Sequence, residues 1–137
     1  MKHIFIAAIA AISLSAAAQT AIGLHLVSVH DTAGFNNSNP GVYVNHNGIT
    51  AGIYHNSERK TSTYVGYTFS GDLPLSMKWG VTVGAITGYS IKPVELMLIP
   101  SIAIKDPLFG GAWRVSYAAK IKKDGAQALH LSHEWSF

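Results

Sequence analysis

The sequence predicts an all-β fold, an eight-stranded antiparallel up-and-down transmembrane β-barrel that follows an N-terminal signal peptide. Two patterns point to strands: bulky apolar residues alternate with small or polar ones along eight segments, and turn residues separate these segments. Charge points to the environment. Charged residues make up 12% of the chain, against about 25% in ordinary soluble domains. So little charge suits a surface in contact with lipid better than a surface in water.

Residues 1–18 have the composition of a secretory signal peptide. Lys2 and His3 form a polar, basic start, an apolar run extends from Ile4 to about Leu14, and small residues follow. The run is roughly half of the ~20 residues that a spanning helix needs. We therefore expect cleavage after Ala18, export from the cytoplasm, and one mature domain over residues 19–137.

Alternation with a period of two predicts each strand in turn. In the fifth segment, Val81 and Val83 lie on one face, while Gly80 and Thr82 lie on the other. The sixth and seventh segments alternate in the same way. The predicted strands are Ala21–His30, Asn39–His46, Ile49–Ser57, Thr61–Phe69, Leu75–Tyr89, Val94–Lys105, Ala112–Lys122 and Ala126–Phe137.

The second face of each strand carries glycine, alanine and serine with isolated charges, which suits a crowded interior. We therefore expect the bulky apolar row to face lipid and the small row to face the lumen. An open sheet in lipid would leave backbone groups unpaired at several kcal/mol each, so the sheet must close. Pro100 is expected to produce a local defect or bulge, because proline cannot donate a ladder hydrogen bond.

Turn lengths predict the register. A two-residue turn at Asn47-Gly48 pairs Val44 with Ala51. Three-residue turns at 58–60 and 123–125 predict further pairs, which are Ile53 with Val65, Trp113 with Trp135, and Arg114 with Glu134. In every case apolar residues meet on one face and small or polar residues on the other.

The lumen is predicted to hold a polar cluster and an ion pair. An eight-stranded barrel is only wide enough for its own side chains, so a general diffusion pore is not expected. Buried charges must pair, and Arg114 with Glu134 is the expected structural pair. The expected polar cluster consists of His25, His130, Ser132 and Lys78.

The C-terminal residues His133-Glu134-Trp135-Ser136-Phe137 resemble the C-terminal signature of outer-membrane proteins, with a terminal aromatic residue and apolar residues at alternate positions. The pattern of the chain resembles small eight-stranded outer-membrane barrels such as the OmpA membrane domain and OmpX. The resemblance implies contact with outer-membrane lipids and recognition of Phe137 by the insertion machinery. It also implies an aromatic girdle at the periplasmic boundary, formed by Trp79, Trp113, Trp135 and Phe137.

His55 and Ser57 form a candidate catalytic pair. The predicted register turns both outward at the end of the third strand, and the H-x-S spacing resembles the lipid A deacylase family, in which such a His and Ser hydrolyse an acyl ester. The acid that this family places on the neighbouring strand is replaced here by Thr61 and Thr63. Glu58 would act as the acid only if its turn brought it round.

The upper lumen, the half nearer the loops at residues 31–38 and 58–60, offers a second possible lipid site. Apolar side chains and glycines there would hold one acyl chain, as the interior of the lipid A palmitoyltransferase family does. The apolar residues expected in the upper lumen are Val27, Val29, Ile86, Met97 and Ile99.

Three functions remain open at this point. The first is a non-porous outer-membrane barrel with a structural or surface-interaction role and no enzymatic activity. The second is an outer-leaflet lipid A acyl-ester hydrolase, and the third is a soluble periplasmic barrel that binds a small ligand. The net charge of +3 is scattered, so no nucleic-acid partner is expected. No motif predicts a metal or another cofactor.

Overall fold

The computed structural model describes residues 19–120 and 125–137, and it contains eight antiparallel strands that form a closed barrel. Each strand pairs with its neighbour in sequence, and β8 pairs with β1. The strands are β1 (Thr20–His30), β2 (Ser38–His46), β3 (Ile49–His55), β4 (Thr61–Leu73), β5 (Met77–Thr87), β6 (Val94–Lys105), β7 (Ala112–Ala118) and β8 (Ala128–Ser136). The predicted all-β, up-and-down barrel is confirmed.

The predicted signal peptide, residues 1–18, lies outside the described residues. Across 19–120 and 125–137, no helix has the length and apolar character needed to cross a membrane. We call the end of the barrel that carries Gln19 and Phe137 the termini end, and the opposite end the loop end.

The two faces of the sheet are distributed as the alternation predicts. Leu96 and Leu98 are 88% and 64% exposed on the outside, whereas Ser101 is buried and Thr82 shares a luminal hydrogen bond with Thr68. Among the described residues, eleven polar or charged residues are buried against five apolar ones. The barrel therefore has an apolar outside and a polar inside, the reverse of a soluble domain.

A β-bulge at Leu26 changes the face assignment in β1. Opposite β8, His25 pairs with Ser132 and Val27 pairs with Leu131, so Leu26 is one extra residue. As a result, alternation shifts by one residue beyond His25. Val27 and Val29 point outward, and the expectation that they line the upper lumen is wrong.

The Asn47-Gly48 turn has the predicted register. Val44 pairs with Ala51, and both turn residues have positive φ, 51° and 88°, as a type I′ turn requires. The next turn is longer than predicted. His55 pairs with Thr61, so Ala51 meets Val65 and the predicted pairing of Ile53 with Val65 is off by two residues.

The β7–β8 register is also displaced by two residues. Trp113 pairs with His133 rather than with Trp135, and Arg114 pairs with Ser132. An even displacement keeps every side chain on its predicted face, because the strand period is two residues. Residues 121–124 of this connection lie outside the described part of the chain.

The β4–β5 hairpin is longer than predicted. β4 continues to Leu73, and Leu73 pairs with Met77. The turn therefore lies at residues 74–76 rather than 70–74. Leu75 and Ser76 adopt positive φ angles of 62° and 57°, which ends the extended conformation there.

One seam of the barrel is only partly paired. β6 pairs with β5 from Val94 to Ile104, whereas its pairs with β7 among the described residues run only from Ser101 to Lys105. Pro100 causes no register shift against β5, so the expected bulge is absent there. Proline instead occupies the first position beyond the paired part, where a missing N–H breaks no bond to β7.

Candidate functional site

Arg114 and Glu134 are in direct contact inside the lumen. The Arg114 guanidinium donates two hydrogen bonds to the carboxylate, Nε to Oε2 at 3.1 Å and Nη2 to Oε1 at 2.6 Å. Their backbones are diagonal neighbours rather than partners, because Arg114 pairs with Ser132 and Glu134 with Ala112. The long arginine side chain reaches across the diagonal, and both side chains are largely buried.

Two further hydrogen bonds extend this pair across the barrel. Tyr43 Oη on β2 donates to Glu134 Oε2 at 2.8 Å, and Arg114 Nη1 donates to Ser101 Oγ on β6 at 2.8 Å. Gly23 makes room for the tyrosine, since a Cβ there would lie 2.0 Å from the Tyr43 ring. We call Tyr43, Ser101, Arg114 and Glu134 the luminal network, and it joins opposite walls of the barrel.

A second polar chain lies nearer the loop end. His25 Nδ1 and His130 Nε2 share a hydrogen bond of 2.8 Å, because β1 pairs with β8. His25 Nε2 is also 2.9 Å from Tyr64 Oη, and His130 Nδ1 is 2.8 Å from Ser28 Oγ. The bulge at Leu26 is what turns Ser28 inward to meet His130.

The other two residues of the predicted cluster occupy different settings. Ser132 is buried in the lumen. Lys78 borders the lumen at the termini end, is half exposed, and lies 3.8 Å from Asp72. Such an exposed pair stabilises a protein little.

His55 and Ser57 do not form an outward catalytic pair. His55 lies on the outward face of β3, the same face as Ile53. Ser57, by contrast, borders the luminal cavity. The alternation ends at Asn56, where the chain leaves the sheet, so the expectation that Ser57 points outward is wrong. Glu58, the candidate acid, accepts hydrogen bonds from the backbone N–H and the hydroxyl of Ser90.

Asn56 is a structural residue that the sequence analysis missed. Its Nδ2 donates to Ser62 Oγ and to the Gly88 carbonyl, both at 2.9 Å. Its Oδ1 accepts from the backbone N–H groups of Glu58 and Lys60. These side-chain bonds form an Asx-type turn and explain why the β3–β4 connection spans five residues, 56–60. In the sequence, its only signal is an asparagine before a charged segment.

The loops at the loop end are joined by hydrogen bonds. The Asn36 N–H donates to the Ser57 carbonyl at 2.8 Å. Asp31 Oδ2 accepts from Gln127 Nε2 at 3.1 Å, and this bond lowers the pKa of Asp31. Tyr117 Oη donates to the Gln127 side chain. The first loop, residues 31–37, is therefore held against the residues that follow β3 and those that precede β8.

The outer surface at the termini end carries the predicted aromatic residues, with one polar pair among them. His133 is 4% exposed although it lies on the outward face of β8. Its ring packs against Trp113 and Trp135, with centroids 4.6 and 4.3 Å away. Trp79 lies on the same outer face, on β5, and Phe137 is exposed at the end of the chain.

Asp106 in the β6–β7 turn provides a hydrogen-bond acceptor for the buried His133 ring on the outer surface. Its Oδ2 accepts a hydrogen bond of 3.0 Å from His133 Nε2. Its Oδ1 accepts from the backbone N–H groups of Leu108 and Phe109, and these bonds, with the contact to His133, lower the pKa of Asp106.

The lumen holds a cavity of about 460 Å³, within the range of small-molecule sites. Ile86, Met97 and Ile99 border it, as the sequence predicts for the upper lumen, together with Tyr54, Tyr89 and Glu95. The upper lumen is thus more polar and aromatic than expected for an acyl-chain site.

In the part of the chain that the structure describes, no three histidine, aspartate or glutamate side chains are grouped to hold a metal ion. The chain matches no protein-family model and no curated protein, so the barrel and its lumen carry the functional argument.

Proposed function

We propose that this chain is a small, non-porous outer-membrane β-barrel protein with a structural or surface-interaction role. The outward row of large apolar side chains is the observation that carries this proposal. It includes Leu96, Leu98, Val65 and Val42, each at least half exposed. An apolar belt of this extent around a whole barrel would aggregate in water, whereas lipid covers it.

The luminal network supports the absence of a pore. Arg114 on β7 contacts Glu134 on β8 and Ser101 on β6, while Tyr43 reaches Glu134 from β2. Separating Arg114 from Glu134 would leave each charge buried without its partner, which is costly. The network therefore opposes widening of the lumen at this level. An eight-stranded barrel is too narrow for the aqueous channel of a porin with roughly 16–18 strands, although its lumen holds the cavity of about 460 Å³.

The joined loops support a surface-interaction role. Asp31 and Gln127 connect the first loop to β8, and Asn36 connects it to Ser57. A pre-ordered loop surface loses little conformational entropy on binding. In this proposal the loop end faces the exterior, outer-membrane lipids surround the belt, and the insertion machinery reads the C-terminal Phe137.

Fractionation and conductance test the proposal. We expect the protein in the outer-membrane fraction, resistant to carbonate extraction, with no stepwise conductance in planar bilayers. An Arg114→Ala/Glu134→Ala double variant is the matched control for the luminal network, and we expect it to conduct more than the wild type. Recovery of the protein from the periplasm without detergent, or porin-sized conductance of the wild type, would contradict the proposal.

Lipid A mass spectra test the competing hydrolase. Because Ser57 borders the lumen while His55 faces outward, we expect the acylation pattern to be the same with and without the protein. An acyl loss that Ser57→Ala abolishes would instead establish the hydrolase.

A further inference from the structure

Glu95 is a buried luminal carboxylate with an unsatisfied oxygen. It lies on the inner face of β6 opposite Ile86, is 8% exposed, and borders the luminal cavity. Its Oε1 is buried and has no hydrogen-bond partner among the described residues. A buried acid without a partner is costly, and ionisable groups inside a barrel wall commonly mark a functional site.

The described lysine and arginine side chains that border the cavity lie far from Glu95. The cations that border the cavity in the described part of the chain are Lys78 and Arg114. Both lie level with Ala103 of β6, eight residues from Glu95, or roughly 26 Å along a strand. Each also has its own acid, Asp72 or Glu134. Neither of these two described cations therefore pairs with Glu95, and a bound molecule with a positive charge would supply the missing partner.

The surroundings of Glu95 define the class of that molecule. Tyr54 and Tyr89, whose hydroxyls share a hydrogen bond of 2.8 Å, border the same cavity as Ile86 and Met97. Aromatic rings attract organic cations, and the aliphatic and thioether groups suit an apolar body. A metal ion would need several hard or nitrogen ligands, and no group of three exists in residues 19–120 and 125–137.

We propose that the loop-end half of the lumen binds an organic cation, an ammonium group on an apolar body, with its charge at Glu95. This proposal goes beyond the structural role and does not depend on the membrane location. Access has a structural basis, because residues 97–100 of β6, just after Glu95, form no ladder pair with the described residues of β7. Leu96 and Leu98, whose side chains face outward, also border the cavity at this seam.

Calorimetry on the purified protein in a non-ionic detergent tests the proposal, with phenethylammonium as the probe. We expect saturable binding of the cation, and binding of the neutral isostere 2-phenylethanol that is at least about tenfold weaker, as loss of a charge-assisted bond predicts. Glu95→Gln should weaken cation binding by a similar factor and leave alcohol binding unchanged. Asp72→Asn, the same change at an exposed acid, should leave both affinities unchanged.

Equal binding of cation and alcohol by the wild type would overturn the proposal, and so would no saturable binding of the cation. Wild-type affinity in a folded Glu95→Gln variant would also overturn it. The comparison of charged and neutral probes uses the wild type alone, so it decides the question even if the variant does not fold. These outcomes leave the membrane proposal untouched, because the assay contains no bilayer.

Discussion

Glu134 accepts hydrogen bonds from Arg114 and Tyr43, so two luminal side chains depend on one carboxylate. Glu134→Ala leaves the Arg114 guanidinium buried without its acid. We expect the free energy of unfolding to fall by about 3–5 kcal/mol, measured by urea titration in lipid vesicles.

The matched control is Asp72→Ala, which breaks the exposed pair with Lys78 and should cost less than about 1 kcal/mol. A change below about 1 kcal/mol in the Glu134→Ala variant would show that the luminal pair contributes little to stability.

Residue types predicted the contact between Arg114 and Glu134 even though the predicted register is off by two residues. Both charges lie on inward positions, and an arginine side chain is long enough to reach a diagonal neighbour. Asn56 and Glu95 were not singled out, because their roles depend on what the folded loops and cavity place around them.

At the scale of the element, the bulge in β1 could not be predicted from the sequence. Leu26 and Val27 are both apolar, so the alternation gives no sign of which residue is extra. The strands without a bulge kept their predicted faces, because bulky and small residues alternate in them without a break.

Deletion of Leu26 tests this account of β1. Without it, the ladder opposite β8 is regular, with His25 and Ser28 inward and Val27 outward, while the irregularity opposite β2 remains. We therefore expect the deletion variant to fold, as judged by heat-modifiable migration on gels. Deletion of Ile53 from β3, which has no bulge, should reverse every later side chain of that strand and prevent folding. Failure of the Leu26 deletion with success of the Ile53 deletion would contradict the account.

The β6–β7 turn gives a pH prediction. Backbone hydrogen bonds and His133 lower the pKa of Asp106 in the folded protein. Its stabilisation is therefore fully present above its ordinary pKa of about 4 and is lost as the pH falls through the lower folded value. The difference in unfolding free energy between wild type and Asp106→Asn should shrink as the pH falls below about 4, the ordinary pKa of an aspartate. A difference that grows in acid would show that folding raises the pKa of Asp106 and would contradict the prediction.

At the scale of the whole molecule, the face assignment links the fold to the proposed location. The sequence predicted closure and the identity of the two faces, because low charge and period-two alternation extend over the whole barrel. It did not predict the incomplete β6–β7 seam, since the segment from Val94 to Pro100 alternates like a fully paired strand.

The most direct test places single cysteines along β5, because the chain has no cysteine of its own. Each cysteine carries an environment-sensitive fluorophore in protein reconstituted into vesicles that contain spin-labelled lipid. We expect strong quenching at Val81, Val83 and Ala85, and weak quenching at Thr82 and Ile86, whose side chains border the lumen. Equal quenching at odd and even positions, or the reverse pattern, would contradict the claim that the bulky row meets hydrocarbon.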